Sequence, residues 1–398
     1  MTPLTSARNI FKIPPASDPW GRAVRRGLFV YLLSRFIVVV GAAIAVTAHA
    51  VWSRIQEETP KGGMTALTDI LVSWDGHWYL DVVRDGYPRN IIPNVTYFIS
   101  DARAAFFPLY PRLVHYFDVI IPGGPVSIAL IINLILGGLF IYLVGYLVKD
   151  IYDARTAEKA MILVALFPGS FVLSFAYSEA LMLCLAALCF IALQRTAWVT
   201  AGILAALVTA TRPNGVAMVA VCAVVALIAI KERREWKALI APLLSPLGFI
   251  SFMIFLRYHT GEDWAWFRVQ REAWKEGTSF GATAVERTFD FLTRPTGSPT
   301  SLLTAASVLA LIIAFVIARR YRIHLMYYTY SAIIVFLMLL PATVTARPRF
   351  LFTAFPLFFP IARSLRDEDD RMWPIVLILM STGLVAVTAI YGVRGAIP

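Results

Sequence analysis

The sequence predicts an all-α, polytopic membrane protein, and three observations carry that expectation. Of its 398 residues, 59% are hydrophobic and only 15% are charged, whereas soluble domains are nearer ~45–50% apolar. Mean hydropathy is +0.69, and apolar runs near the ~20 residues that span a bilayer recur along the chain. The net charge of +11 forms neither the single patch nor the helix stripe of a nucleic-acid surface. The basic residues fall between apolar runs, so topology explains much of the charge and no nucleic-acid partner is expected.

The first run, 27–52, follows Arg22, Arg25 and Arg26 and ends in Ala48-His49-Ala50, which mimics a signal-peptidase site. A signal peptide's apolar region is only ~7–15 residues long, so this run is expected to stay as an uncleaved first span. Arg35 within it lies near enough to the inner face to snorkel. A polar segment, 53–125, makes a first outer loop with interfacial helices, and 126–148 is the next span.

Runs 160–194 and 199–230 are each too long for one crossing. Polar turns at Tyr177-Ser178-Glu179 and Thr211-Arg212-Pro213-Asn214-Gly215 cut each into a hairpin, and Phe167-Pro168-Gly169 kinks the first. Run 238–256 leads to a second long outer loop, 257–299, and then come 300–318, 325–341, 350–362 and 373–392. Lys149, Arg155 and Lys159, then Arg195, then Lys231, Arg233, Arg234 and Lys237 separate the hairpins; the positive-inside rule places all of them in the cytoplasm. Alternation adds Arg319, Arg320 and Arg322 and later Arg363, Arg366 and Arg371 to that side. The expectation is about eleven crossings with the N-terminus inside, in one integral domain, 1–398. Short loops and Ala/Val-rich spans suit a bacterial cytoplasmic membrane.

The elaborated loops face outward, and loops on a rigid scaffold carry function. In the first, Ser73-Trp74-Asp75-Gly76-His77-Trp78-Tyr79 holds a carboxylate at the membrane edge. Ser73 is a good N-cap, and the helix it starts runs to about Arg84, stopped by Gly86 and Pro88. Asp75 then sits in the first turn, where backbone N–H groups and the helix dipole favour the ionised form. Trp74, Trp78, Tyr79 and Val82 suit an interfacial helix. At this level Asp75 reads equally as a catalytic acid or base and as the dipole-pairing acid of a capped helix.

Phe106-Phe107-Pro108-Leu109-Tyr110-Pro111 reads as a membrane anchor, and Glu179 as an acid at the start of the next helix. Arg212, Arg347 and Arg349 are outer-edge arginines where positive-inside bias makes them unexpected, and guanidinium groups at headgroup level hold phosphate by paired hydrogen bonds. Asp367-Glu368-Asp369-Asp370 resembles an acidic metal and nucleotide-sugar motif, but it lies among inner-loop arginines and reads as a solvated charge run. No Gly-rich phosphate loop follows a strand. The histidines are scattered and Cys184, Cys189 and Cys222 lie in apolar runs, so neither a metal site nor a disulfide is expected.

Taken in order, Trp-Asp-Gly-X-Trp-Tyr, Phe-Phe-Pro-Leu-Tyr-Pro, Phe-Pro-X-Ser-Phe with Tyr-Ser-Glu, Thr-Arg-Pro-Asn-Gly and a late Arg-Pro-Arg-Phe resemble the PIG-V family, the GPI mannosyltransferase II type, and especially its bacterial relatives. The resemblance implies a GT-C fold whose first outer loop carries the essential acid, matched here by Asp75. It implies mannose transferred with inversion from polyprenyl-phosphate-mannose to a lipid or glycan acceptor, with no further cofactor. Asp75 is then expected to take the acceptor hydroxyl's proton. Arg212, Arg347 and Arg349 would neutralise the leaving phosphate, and Trp74, His77, Trp78, Tyr79, Tyr177, Glu179 and Asn214 would bind substrate. A transporter or flippase of lipid-linked sugars is the alternative, yet transporters show midplane ionisable residues and repeated broken helices. In this chain the acids lie at the edges.

Overall fold

The computed structural model describes residues 14–295, 297–343, 347–367 and 372–396; the acidic run from Glu368 to Arg371 lies outside them. Asp18 caps the first helix by accepting the Trp20 N–H at 3.0 Å, and Pro19 supplies the preset first position. From there α1 (Pro19–Ile55) leads into the first outer segment, with α2 (Gly63–Leu71), α3 (Asp75–Asp85) and α4 (Leu109–Ile120). The bundle continues through α5 (Gly124–Ile151), α6 (Ala154–Leu166), α7 (Glu179–Gln194), α8 (Trp198–Thr209), α9 (Ala217–Arg233), α10 (Ile240–Leu244) and α11 (Leu247–Thr260). A second outer segment carries α12 (Ala265–Ala273) and α13 (Ala282–Thr293), and α14 (Pro299–Tyr321), α15 (Leu325–Leu339), α16 (Pro348–Thr353), α17 (Phe358–Asp367) and α18 (Met372–Gly392) complete it.

This is an integral membrane protein built almost wholly of helix. Among the described residues, six stretches are long and apolar enough to cross alone: α1, α5, Pro213–Arg233, Trp236–Thr260, α14 and α18. Against the eleven crossings expected, α7, α8 and α15 are apolar but short, and other runs are broken. The expected span 350–362 is not one helix. It is cut into α16, a 3-10 turn Phe355–Leu357 and α17: Ala354 leaves the helical region with ψ at 39°, and Pro356 has no N–H to bond back to the preceding turn. Irregular backbone at membrane depth is tolerated only inside protein, and here Phe352, Phe355 and Phe359 are fully buried.

The same rule shapes the chain after α6. Phe167 precedes Pro168 and ends the helix, and a 3-10 stretch, Pro168–Leu173, follows the break and leads to Tyr177-Ser178 at the start of α7. Arg35 stabilises this break rather than snorkelling to the inner face. Its Nη1 donates to the Ser170 carbonyl at 2.7 Å, and its Nη2 donates to the Ala165 carbonyl at 3.1 Å and Ser170 Oγ at 2.9 Å. Those acceptors include a carbonyl that the end of α6 leaves without a helical partner. The sequence alone could not show that α1 turns this face toward α6 and away from lipid.

Gly169 lets the 3-10 stretch touch α16, since a Cβ there would run into the Pro348 carbonyl. Gly169→Ala is therefore expected to lower stability by about 1–3 kcal/mol, the cost of overpacking a close-packed contact. Thermal unfolding in detergent reads it, and an unchanged midpoint would mean the two segments separate freely.

A second core lies outside the main bundle. Trp78, Tyr79, Phe106, Phe107 and Val269 are buried there against Phe252 of α11, so the two outer segments fold onto each other. The run Gly277–Gly281 is stitched to the end of α15: the Ser279 N–H donates to the Leu340 carbonyl at 2.8 Å and the Ala342 N–H to the Gly277 carbonyl at 2.8 Å.

Candidate active site

Asp75 is the first residue of α3, as its sequence position predicts, but the cap differs. Trp74 takes the cap position with φ at +59°, a sparsely populated conformation for a bulky residue. Its indole N–H donates to the Tyr391 carbonyl at 3.1 Å, and Ser73 Oγ turns backward to donate to the Ile70 carbonyl at 2.7 Å. Ser73 is therefore not the cap. A contact from the far end of the chain fixes the entrance to α3, and this strain sits beside the acid, as strain at functional sites often does.

Four charged side chains from four separated stretches meet at that acid. Arg349 Nη2 pairs with Asp75 Oδ2, and its Nε reaches Glu179 Oε1 at 2.5 Å. Arg212 Nη1 lies 2.8 Å from Glu179 Oε2 and its Nη2 3.7 Å from Asp75 Oδ2. Two cations and two anions cancel, which is what permits so much charge to be buried. Exposure separates the four: Glu179 and Arg349 side chains are 1% and 2% exposed and Arg212 9%, but Asp75 keeps 25%. Of the set, Asp75 is the one most open to a ligand.

Local backbone rules put each group there. Arg212 precedes Pro213 and is extended, with φ at −159° and ψ at 153°; Arg347 precedes Pro348 in the same way, which leaves Arg349 in the first turn of α16. Glu179 begins α7, favoured by the dipole. Behind the network, the Arg349 guanidinium lies 4.4 Å from the centre of the Tyr177 ring, and Tyr79 and Ser178 share a hydrogen bond of 2.6 Å. Burial alone would push the Asp75 carboxyl up, but Arg349 and then Arg212 overcome it and hold it below the usual value of 3.8. Asp75 is thus a carboxylate at neutral pH.

The network opens on a cavity of about 350 Å³, lined by Asp75, Tyr79, Arg212, Asn214 and Arg349 on one side. Phe106 and Phe107 line it too, so the aromatic run read as a membrane anchor is a buried wall of the site. A further wall comes from the second outer segment through Trp266, Gln270, Trp274 and Glu276, and none of these was singled out by a motif. The nearest sequence signal was the aromatic richness of that segment.

The remaining expected residues do not line the cavity. His77 points outward, with 64% of its side chain exposed, and lies 3.4 Å from Asp81 Oδ2, because two residues along a helix separate it from the face of Asp75. Trp78 is buried behind the wall, with ring centroids 5.4 Å from Tyr97 and 6.2 Å from Phe106; it packs rather than lying at an interface. Tyr177 and Glu179 act from behind, and Trp74 and the buried Arg347 flank the site. Among the described residues, no three His, Cys, Asp or Glu side chains converge to hold a metal ion.

Comparison with known proteins adds two findings. The profile of the family described as Mannosyltransferase (PIG-V) matches residues 62–346, a stretch that contains Asp75, Glu179, Arg212 and both walls of the cavity except for the strand of chain around Arg349. Among solved structures, ArnT from Cupriavidus metallidurans bound to undecaprenyl phosphate is 14% identical with a TM-score of 0.51, covering 76% of this chain and 56% of that one. The same protein in its apo state gives 15% identity, a TM-score of 0.50 and coverage of 75% and 56%. The chain therefore spans little more than half the length of ArnT, and the likeness is one of fold, the GT-C fold. No curated protein matches.

Proposed function

Because the chain belongs to the Mannosyltransferase (PIG-V) family, we propose that it is an inverting membrane glycosyltransferase that moves mannose from polyprenyl-phosphate-mannose to a lipid or glycan acceptor. It acts as one integral domain of a bacterial cytoplasmic membrane, with the N-terminus inside and the cavity opening outward. One observation carries this reading: a carboxylate with surface to spare stands against two guanidinium groups at the edge of a cavity.

The roles divide by atom. The ion pairs of Asp75 with Arg349 and Arg212 both fall on Oδ2, which leaves Oδ1 to accept the proton of an acceptor hydroxyl. That hydroxyl attacks the anomeric carbon from one face while the lipid phosphate departs from the other, which gives inversion. Arg212 and Arg349 take the charge of the departing phosphate in a site shielded from water, where such contacts are strongest. Positioning in the cavity supplies a further share of the acceleration. Asn214 and Tyr79 line the same wall and hydrogen-bond the transferred sugar. Glu179 and Tyr177 hold the arginines. The phosphate-linked sugar is already activated, so the donor is the sole energy source.

Purified protein reconstituted with radiolabelled polyprenyl-phosphate-mannose tests the reading. The expected result is label in an α-mannoside on an added glycolipid or glycan. Label that crosses the bilayer without transfer, or stays on its carrier, would overturn it.

A further inference from the structure

The cavity is charged on one wall only in balanced form, and on the other it carries a lone acid. Glu276 lines it on the second outer segment, a stretch of chain separate from those that supply Asp75 and the arginines. Among the described residues its carboxyl has neither an ion-pair nor a hydrogen-bond partner, and burial pushes it up from its usual value. Its backbone is well held: its N–H donates to the Gln270 carbonyl at 3.3 Å, and the next residue, Gly277, is pinned to the end of α15. An acid built so firmly into a half-buried wall without a cation needs hydroxyl donors from elsewhere.

Two neighbours complete the surface. Gln270 lines the cavity and brings an amide that both donates and accepts. Trp274 lines it as well, its ring held by Phe106 and Tyr97, each at a centroid distance of 5.7 Å. A rigid aromatic ring with an acid and an amide alongside suits a pyranose, whose C–H face is apolar and whose rim is hydroxyl. The donor's phosphate is drawn to Arg212 and Arg349 and repelled by Glu276, so the two walls sort the two substrates by charge.

We propose that Glu276, with Gln270 and Trp274, forms the acceptor subsite: it takes an uncharged pyranosyl group through hydrogen bonds from its hydroxyls and discriminates against acceptors bearing an anion beside the attacked hydroxyl. The word acceptor rests on the glycosyl-transfer reading above. The subsite itself rests on the cavity wall.

Direct binding separates the two. In full-length protein in lipid nanodiscs, tryptophan fluorescence is titrated with octyl α-mannoside, octyl α-mannoside 6-phosphate and polyprenyl phosphate. Wild type is expected to bind the neutral glycoside about tenfold more tightly than the phosphorylated one, the size of a single charge-assisted contact. Glu276→Gln brings the two within about threefold and leaves polyprenyl phosphate binding no weaker than in the wild type, which also shows that the variant is folded. Glu276→Asp keeps the preference. Partition into lipid is common to all variants and cancels in the ratio. A ratio unmoved by Glu276→Gln, or a change confined to polyprenyl phosphate, overturns the subsite. If the ratio moves but no labelled mannose is transferred, the subsite stands and the transfer reading falls; if mannose is transferred and the ratio is fixed, the subsite alone falls.

Discussion

Replacing Asp75 with asparagine is expected to lower mannosyl transfer by about 10²–10⁴-fold at saturating donor, the usual worth of a positioned general base, without abolishing donor binding. Asparagine is isosteric and keeps an oxygen for the guanidinium contacts that Asp75 Oδ2 now makes. What it loses is charge and basicity. The network then holds two cations against Glu179 alone, so polyprenyl phosphate binds at least as tightly as before. The prediction thus separates chemistry from binding: turnover falls, KM for donor holds or drops. An uninvolved dipole-pairing acid would give a different result, a small loss of stability with turnover intact. Wild-type turnover in Asp75→Asn would remove the assignment.

Why Asp75 was legible and its partners were not follows from where each constraint originates. Asp75 in the first turn of α3 and Gly86 ending it are local facts, fixed by residues next to each other. Tyr79 on the face of Asp75 follows from a four-residue spacing, and it does line the cavity. That spacing also argued against His77, which adjacency in the string made tempting. By contrast, the cap at Trp74 depends on Tyr391, and a long-range bond outweighed the local preference of Ser73. Arg212 and Arg349 were visible as unexpected outer-edge charges and Glu179 as an acid at a helix start, yet only packing brings their ionic groups within 4 Å.

Other features left no periodic trace. Membrane helices are apolar on nearly every face, so composition cannot say which face of α1 meets lipid, and Arg35 was assigned to the wrong one. The break at Phe355-Pro356 was written in the sequence, but an apolar count passes over it. Glu276 and Trp274 sit in a loop with no motif around them, and their meeting with the site depends on the pairing of Gly277–Gly281 with the end of α15.

Replacing Arg349 with methionine is expected to destabilise the protein by about 3–5 kcal/mol, the cost of leaving one side of a buried ion pair uncompensated. Glu179 is 1% exposed and would keep only Arg212. Lysine in place of Arg349 retains the charge but not the fork that reaches both acids, so its loss should be intermediate. The pH dependence carries more information than the size. In the wild type the Asp75 carboxyl lies below 3.8, the unfolded value. Its contribution is therefore complete above about pH 4 and is lost as pH falls through the lower, folded value. Without Arg349, burial acts against Arg212 alone at 3.7 Å, and the folded value is expected to rise. Once it passes 3.8 the sign reverses, because the ionised form is then penalised at neutral pH and the penalty is relieved on acidification. Melting midpoints in detergent should therefore fall as pH drops below about 4 for the wild type, and should fall less or rise on acidification for Arg349→Met. The acid limb of any residual transfer activity should move upward in step. Parallel curves for the two proteins would show that Arg349 does not set the charge on Asp75, and the base would then owe its ionised state to Arg212 and the start of α3.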